Sequence, residues 1–315
     1  MSPQKLRGLR TPLAVLTCVA AAVLLSPVLA AAWNPTGHRT VAAVAWDHMT
    51  PHARARAVEL LMHGPAAAHL AALRPTTGTD AERDRALFLN AATWPDMIRD
   101  RDNPAHAYHR PTWHYADFYW KFVDGKPYDI PGTGPDSINA GERIVLFRSQ
   151  MTDPAVPDTT KSVDLVWLIH LVGDIHQPLH TSSLVDPQDT LPRGDLGGNR
   201  FRLADQHNLH GYWDDILDIG IARGADEDSI AYATRLAGIV QQADPLAALA
   251  GPAAATNVAG WERDGLQVVQ SVVYTDVTRG QEPSPAYRAR ALRVAERQVA
   301  LAGYRLAALL NEALK

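Results

Sequence analysis

Cysteine is almost missing from this chain: Cys18 is the only one in 315 residues. It falls in an N-terminal segment that reads as a removable leader, so the remaining chain has no disulfide and no thiolate to bind a metal. Any metal site must therefore be built from His, Asp and Glu. Excess positive charge is also missing, with 30 Lys and Arg against 34 Asp and Glu. An acidic protein is not expected to hold a polyanion on a broad basic face. If its ligand is anionic, positive charge must come from elsewhere, and bound metal cations can supply it. No apolar run is long enough to span a bilayer. The stretch 13–25 is several residues short of the roughly 20 required. Strand signal is scarce, and there is no internal repeat or low-complexity tract beyond alanine-rich helices.

What is present begins with an export signal. Lys5, Arg7 and Arg10 form a basic region, residues 13–25 an apolar one, and Ala30-Ala31-Ala32 a small-residue cleavage pattern. Cleavage after residue 32 places the mature protein in a periplasmic or extracellular compartment with no membrane anchor, and makes Trp33 its first residue. A lipid-anchor reading of Cys18 fares worse, because Thr17 is a poor neighbour and the apolar stretch continues past it. The mature chain then has 283 residues, with 27 Lys and Arg against 34 Asp and Glu, a net charge of −7. That length suits one large domain over 33–315, taken as a monomer.

Helical punctuation dominates those residues. Thr50-Pro51 and Ser284-Pro285 each place a capping residue before a proline at the first helical position. In the C-terminal stretch Ala291, Leu292, Ala295, Val299, Ala302 and Leu306 recur at spacings of three or four. Residues 163–176 are apolar nearly all round, which predicts a helix buried on most sides. Further helices are expected over 81–92, 138–151, 209–219, 230–241 and 256–273. Residues 113–122 alternate aromatic with polar, and 199–203 is a second short strand candidate, so at most one small hairpin is expected. Residues 124–135 and 186–198 read as loops. The expected fold class is all-α, a mainly helical single domain.

The strongest signal is His170, Asp174 and His180, followed by His210 and Asp214. Helical positions four apart share a face, so each H-x3-D pair can grip one cation. Pro178 ends the first helix and lets His180 turn toward a different centre. His176 stands about 240° round the helix from His170 and points elsewhere, in support of the site. Upstream lie Asp96, His114 and, five residues after Trp33, His38. Carboxylates and imidazoles together suit zinc with exchangeable water positions. A lone histidine reads as a core imidazole, but this many at these spacings read as ligands.

These residues resemble the trinuclear-zinc, single-strand-specific nucleases of the S1/P1 type. The chain has W-N-P-T-G-H at 33–38, W-P-D-M-I-R at 94–99, W-H-Y-A-D at 113–117, H-L-V-G-D-I-H-Q-P-L-H at 170–180, G-G-N at 197–199 and N-L-H-G-Y-W-D at 208–214. The resemblance implies a phospholipase C/nuclease-like helical domain holding three Zn2+ ions. One would take Asp96, His114, His170 and Asp174. A second would take the α-amine and carbonyl of Trp33 with His38, Asp174 bridging it to the first. The third would take His180, His210 and Asp214. In the family's pattern Tyr115 is the platform on which a base stacks and Asp117 the acceptor at its edge. Disulfides seen in some relatives are missing here, which bears on stability more than on chemistry.

The implied activity is a hydrolase, an exported endonuclease cutting single-stranded DNA and RNA to 5′-phosphorylated products and acting also on 3′-nucleotides. Two cations sharing Asp174 can lower the pKa of a water between them and present hydroxide to phosphorus, and the third can neutralise the departing 3′ oxygen. Arg99, three residues after Asp96, can reach the same phosphoryl oxygens with a planar fork of donors. The ions also answer the puzzle of an acidic protein cutting a polyanion. An unstacked base offers both a face and an edge, whereas a duplex hides them. Two rivals remain. A zinc phospholipase C shares the fold and chemistry but typically ends on H-x3-E and places its first histidine further from the terminal Trp. A non-catalytic zinc-stabilised binding protein would favour closed four-ligand sites, whereas the third centre here has only three protein ligands.

Overall fold

The computed structural model describes residues 33–204, 207–254 and 257–315. The expected leader lies outside them. Among the described residues twelve α-helices carry the fold: α1 Pro35–His48, α2 Pro51–Met62, α3 Asp80–Ala91, α4 Trp94–Met97, α5 Ala140–Thr152, α6 Asp158–Asp174, α7 Leu209–Asp214, α8 Ile216–Gly220, α9 Ser229–Ala243, α10 Leu246–Ala254, α11 Val258–Val268 and α12 Pro285–Ala313. The protein is mainly α-helical, as its punctuation predicts.

Local chemistry sets the helix starts. The side chains of Thr50 and Ser284 accept from Ala53 N and Tyr287 N ahead of the prolines that open α2 and α12. Thr79 and Glu82 form a reciprocal capping box on α3. Asn34 accepts from the amides of Thr36 and Gly37 and so opens α1 four residues before His38.

Packing then orders the layers. α6 is buried along 13 of its 17 residues, at the centre of the bundle against α2 and α5. α1 lies along α12, and the two approach so closely at Gly303 that a β-carbon there would stand 2.4 Å from the Val44 side chain. Trp33, Trp120, Trp167, Trp213 and Trp261 are each almost completely buried. Each ring removes enough apolar surface to contribute about 4–6 kcal/mol before the entropy of ordering it.

The β-structure departs from expectation. β1 Phe118–Val123 pairs antiparallel with β2 Lys126–Asp129, and parallel with β3 Ser182–Leu184 on its other edge. The hairpin therefore closes inside the stretch read as a loop, at Asp124-Gly125, where both residues have positive φ. Pro111–His114 is a 3-10 turn, so the strand begins five residues later than the aromatic alternation suggests. Residues 199–203 contribute only an isolated bridge between Arg202 and Asn208. The helix expected over 209–219 is interrupted at Asp215. That over 256–273 begins at Val258 and ends in a π-helical turn, Val269–Val273, while position 256 lies outside the described residues.

The loop after β3 is held by polar contacts. Arg279 pairs with Asp186 at 2.9 Å and Asp189 at 2.7 Å and donates to the Arg200 carbonyl at 2.7 Å. Buried Asp195 accepts from Leu184 N at 2.9 Å and from the Tyr274 hydroxyl. This brings Gly197 beneath the site. Among the described residues no helix is long and apolar enough to cross a membrane.

Candidate metal centre

Three elements meet at the C-terminal end of α6. α6 contributes His170 and Asp174 one turn apart on one face, as their spacing predicts. The short helix α4 brings Asp96, and the 3-10 turn Pro111–His114 brings His114. The nitrogens and oxygens converge closely: His170 Nε2 lies 3.3 Å from Asp174 Oδ2 and 3.6 Å from Asp96 Oδ1, and His114 Nδ1 lies 3.0 Å from Asp174 Oδ2. His38, on the second turn of α1, completes the group with Nε2 at 3.4 Å from Asp174 Oδ1 and 3.9 Å from Asp96 Oδ2. Its ring stacks on His170 at 4.0 Å. Asp174 thus faces His38 with one oxygen and His114 and His170 with the other, the disposition expected of a bridge.

A second group forms where α6 ends. Pro178 starts the 3-10 turn Pro178–Thr181, which carries His180 to the face of α7 holding His210 and Asp214. His180 Nε2 and His210 Nε2 are 3.1 Å apart, and His210 Nε2 is 3.6 Å from Asp214 Oδ2.

Backbone carbonyls orient three of these imidazoles. Nδ1 of His170, His180 and His210 lies 2.8, 2.7 and 2.6 Å from the carbonyls of Ala92, His114 and Gly197. Each Nδ1–H donates outward, leaving an Nε2 lone pair directed into the site. Gly197 needs its glycine, since φ is +59° and a β-carbon would stand 2.4 Å from the Leu179 carbonyl. Gln177, which sequence reasoning passes over, donates to Asp214 Oδ1 at 2.7 Å and leaves Oδ2 toward His210. His176 points away, as its angle on the helix predicts. Its Nδ1 bonds Val172 O and its Nε2 accepts from Arg305 on α12. Burial, then Arg305, push its pKa down to about 3, so the ring is neutral.

The electrostatics fit a cation. Burial pushes the pKa of His38, His114, His170 and His180 down, and pushes the carboxyls of Asp174 and Asp214 well above the usual range. Both ring nitrogens of His38 and Oδ1 of Asp174 are buried without a hydrogen-bond partner. Burying carboxylates and lone pairs in this way is costly unless a positive charge shares the space. Neutral imidazoles and hard carboxylate oxygens, with no sulfur, are a donor set that suits zinc. Three groups of candidate ligand atoms lie within 4.8 Å of one another: His38 with Asp96 and His170, His114 with His170 and Asp174, and His180 with His210 and Asp214.

The remaining predicted residues surround this centre. Trp33 is wholly buried, with its ring against Gly37, and the amide of Asn34 donates to the Asp214 carbonyl at 3.2 Å. The start of the described chain is thereby joined to the helix of the second group. Arg99 Nη2 is 2.8 Å from Asp96 Oδ1. Tyr115 stacks on His180 at 4.6 Å and lines a cleft of about 230 Å3 together with Asp117, Tyr119 and Asp136. Burial, then Asp195 and Asp136, push Asp117 up to about 8.

Among known proteins, Nuclease P1 of Penicillium citrinum is 25% identical to this chain over 297 residues, 89% of this chain and 97% of the relative. Nuclease S1 of Aspergillus oryzae is 24% identical over 318 residues, 93% of this chain and 96% of the relative. Endonuclease 3 of Arabidopsis thaliana is 29% identical over 164 residues, 47% of this chain and 50% of its own length. The profile of the S1/P1 Nuclease family matches residues 33–315, every segment that builds the centre included, and the chain belongs to that family.

Proposed function

We propose that this protein is an exported, zinc-dependent endonuclease that hydrolyses single-stranded DNA and RNA to 5′-phosphorylated products and also acts on 3′-nucleotides. The observation that carries this reading is the convergence of His38, Asp96, His114, His170, Asp174, His180, His210 and Asp214 from five separate segments into contiguous groups of donor atoms. In this reading residues 33–315 form one domain that holds three zinc ions, with the α-amine and carbonyl of Trp33 completing the set once residues 1–32 are removed. Zinc, when bound, lowers the pKa of water toward neutrality and neutralises charge developing on phosphate.

The chain's own residues set the rest. Asp174 presents one oxygen to His38 and the other to His114 and His170, and would help to hold two of the ions. Arg99, held against Asp96, aims a guanidinium at the phosphoryl oxygens. Tyr115 offers a ring face to an unstacked base, and Asp117 meets its edge. A duplex can use neither group, which supports the single-strand preference. The H-x3-D ending and W-x4-H opening, and relatives named as nucleases, favour this reading over a phospholipase C.

The test is metal analysis of the purified mature protein together with assays on single-stranded DNA, RNA, duplex DNA, a 3′-nucleotide and phosphatidylcholine. About three zinc ions per chain and a strong preference for single strands are expected. Hydrolysis of phosphatidylcholine without cleavage of either nucleic acid would overturn the assignment.

A further inference from the structure

One arginine beside the cleft is held in place yet has no acidic partner. Arg110 immediately precedes Pro111 and Thr112, which line the cleft together with Tyr115 and Asp117. Its Nη1 donates to the carbonyls of Ala107 at 2.9 Å and His109 at 2.7 Å, and its guanidinium lies over the Trp113 ring at 5.7 Å from the centroid. No carboxylate among the described residues forms an ion pair with it, and its Nε and Nη2 donors make no hydrogen bond. Arg143, which also packs on Trp113, differs in being tied to Glu142 through two bonds. The exposed Arg110 is thus a positive charge held by backbone carbonyls, with part of its donor fork unused, next in sequence to two residues that line the cleft.

We infer that Arg110 is a subsite for the phosphodiester group flanking the nucleotide seated on Tyr115. The inference rests on the single-strand nuclease reading. The metal centre serves only the phosphate being cut, so the next phosphate along the strand needs a cation of its own. A guanidinium oriented by two backbone carbonyls and a ring loses little freedom when it binds one. The subsite favours oligonucleotides over substrates that carry a single phosphodiester.

The experiment compares wild type, Arg110→Ala, Arg110→Lys and Arg54→Ala on a single-stranded 12-mer and on a dinucleoside monophosphate, across a range of salt concentrations. Arg54 serves as control because it too lies over a tryptophan, Trp46, and bonds backbone carbonyls, but away from the cleft residues. For Arg110→Ala the KM for the 12-mer is expected to rise about five- to tenfold, while kcat/KM for the dinucleoside changes less than twofold. The slope of log KM against log salt should fall by about 0.7. Arg110→Lys should keep the slope, and Arg54→Ala should match wild type on both substrates. An unchanged KM and slope in Arg110→Ala, an equal loss on both substrates, or the same effect from Arg54→Ala would each overturn the subsite. If wild type cleaves neither substrate, the nuclease reading falls and the subsite with it.

Discussion

Gly173 and His38 approach so closely that a β-carbon on the glycine would stand 2.8 Å from Nδ1 of the imidazole. The ring of His38 occupies the space a side chain would fill, and this contact holds it against Asp174. Gly173→Ala should therefore push His38 out of line. Alanine favours a helix by about 1 kcal/mol over glycine, which offsets part of the overpacking cost. The expected signature is a variant of near-native melting temperature that loses at least one zinc per chain and most of its activity. Full zinc content and native rate would remove His38 from the ligand set.

Asp174 is the one residue asked to face two ions. Asp174→Asn should lower zinc content and turnover more than any other single ligand replacement, because a neutral amide is a poor bridge. Retention of full zinc and near-native rate in this variant would show that the two-ion assignment is wrong.

Tyr115→Ala and Asp117→Ala separate binding from metal chemistry. Stacking on an aromatic ring is worth roughly 1–3 kcal/mol per base, so Tyr115→Ala should lose about tenfold or more in affinity at unchanged zinc content. Asp117→Ala should shift base preference. Affinity unchanged from wild type for all four bases in both variants would place the nucleotide elsewhere.

The Trp33 assignment turns on a single covalent bond. A free α-amine has a lone pair for zinc, whereas a peptide nitrogen has its lone pair delocalised into the carbonyl. Mature protein and a form with one added N-terminal alanine, both supplied with excess zinc, should differ sharply in specific activity on single-stranded DNA. Equal activities would rule Trp33 out as a ligand.

Stability should carry a pH signature from Glu262. Its carboxylate packs against Gly141 at a point where no β-carbon would fit, and burial pushes its pKa up to about 7 from an ordinary 4.5. Folding therefore favours the protonated acid. Its contribution is fully present below about pH 4.5 and is lost as pH rises through 7. Glu262→Gln should match wild type in acid and exceed it by up to about 2–3 kcal/mol above pH 7. Denaturant titrations at pH 5 and pH 8 that give the same difference would contradict this.

The clustering of His and Asp side chains was legible because helical periodicity turns a spacing of four into a shared face, as at His170 and Asp174. The burial of α6 was legible for a related reason, since it is apolar all round. What surrounds the donors was not. The carbonyls of Ala92, His114 and Gly197 orient three imidazoles, and a backbone atom leaves no trace in residue identity. Gln177 looks like a spacer until Asp214 is brought against it. The β1–β3 pairing joins Phe118 to Ser182 across more than sixty residues, and β2 is four exposed residues with a proline among them. α1 begins inside the W-N-P-T-G-H motif, which reads as a ligand pattern rather than as a helix start, although Asn34-Pro35 is the same device seen at Thr50-Pro51.

The Arg279 clamp on Asp186 and Asp189 has a practical consequence. It closes the loop that carries Gly197, whose carbonyl orients His210, and it closes it with charge rather than with sulfur. Dithiothreitol and glutathione have nothing there to reduce. Concentrated salt should weaken the clamp instead, by screening the pairs that help keep the loop shut. The loop's tolerance should therefore be mapped along an axis of ionic strength, and the loop should hold alike in reducing and oxidising surroundings.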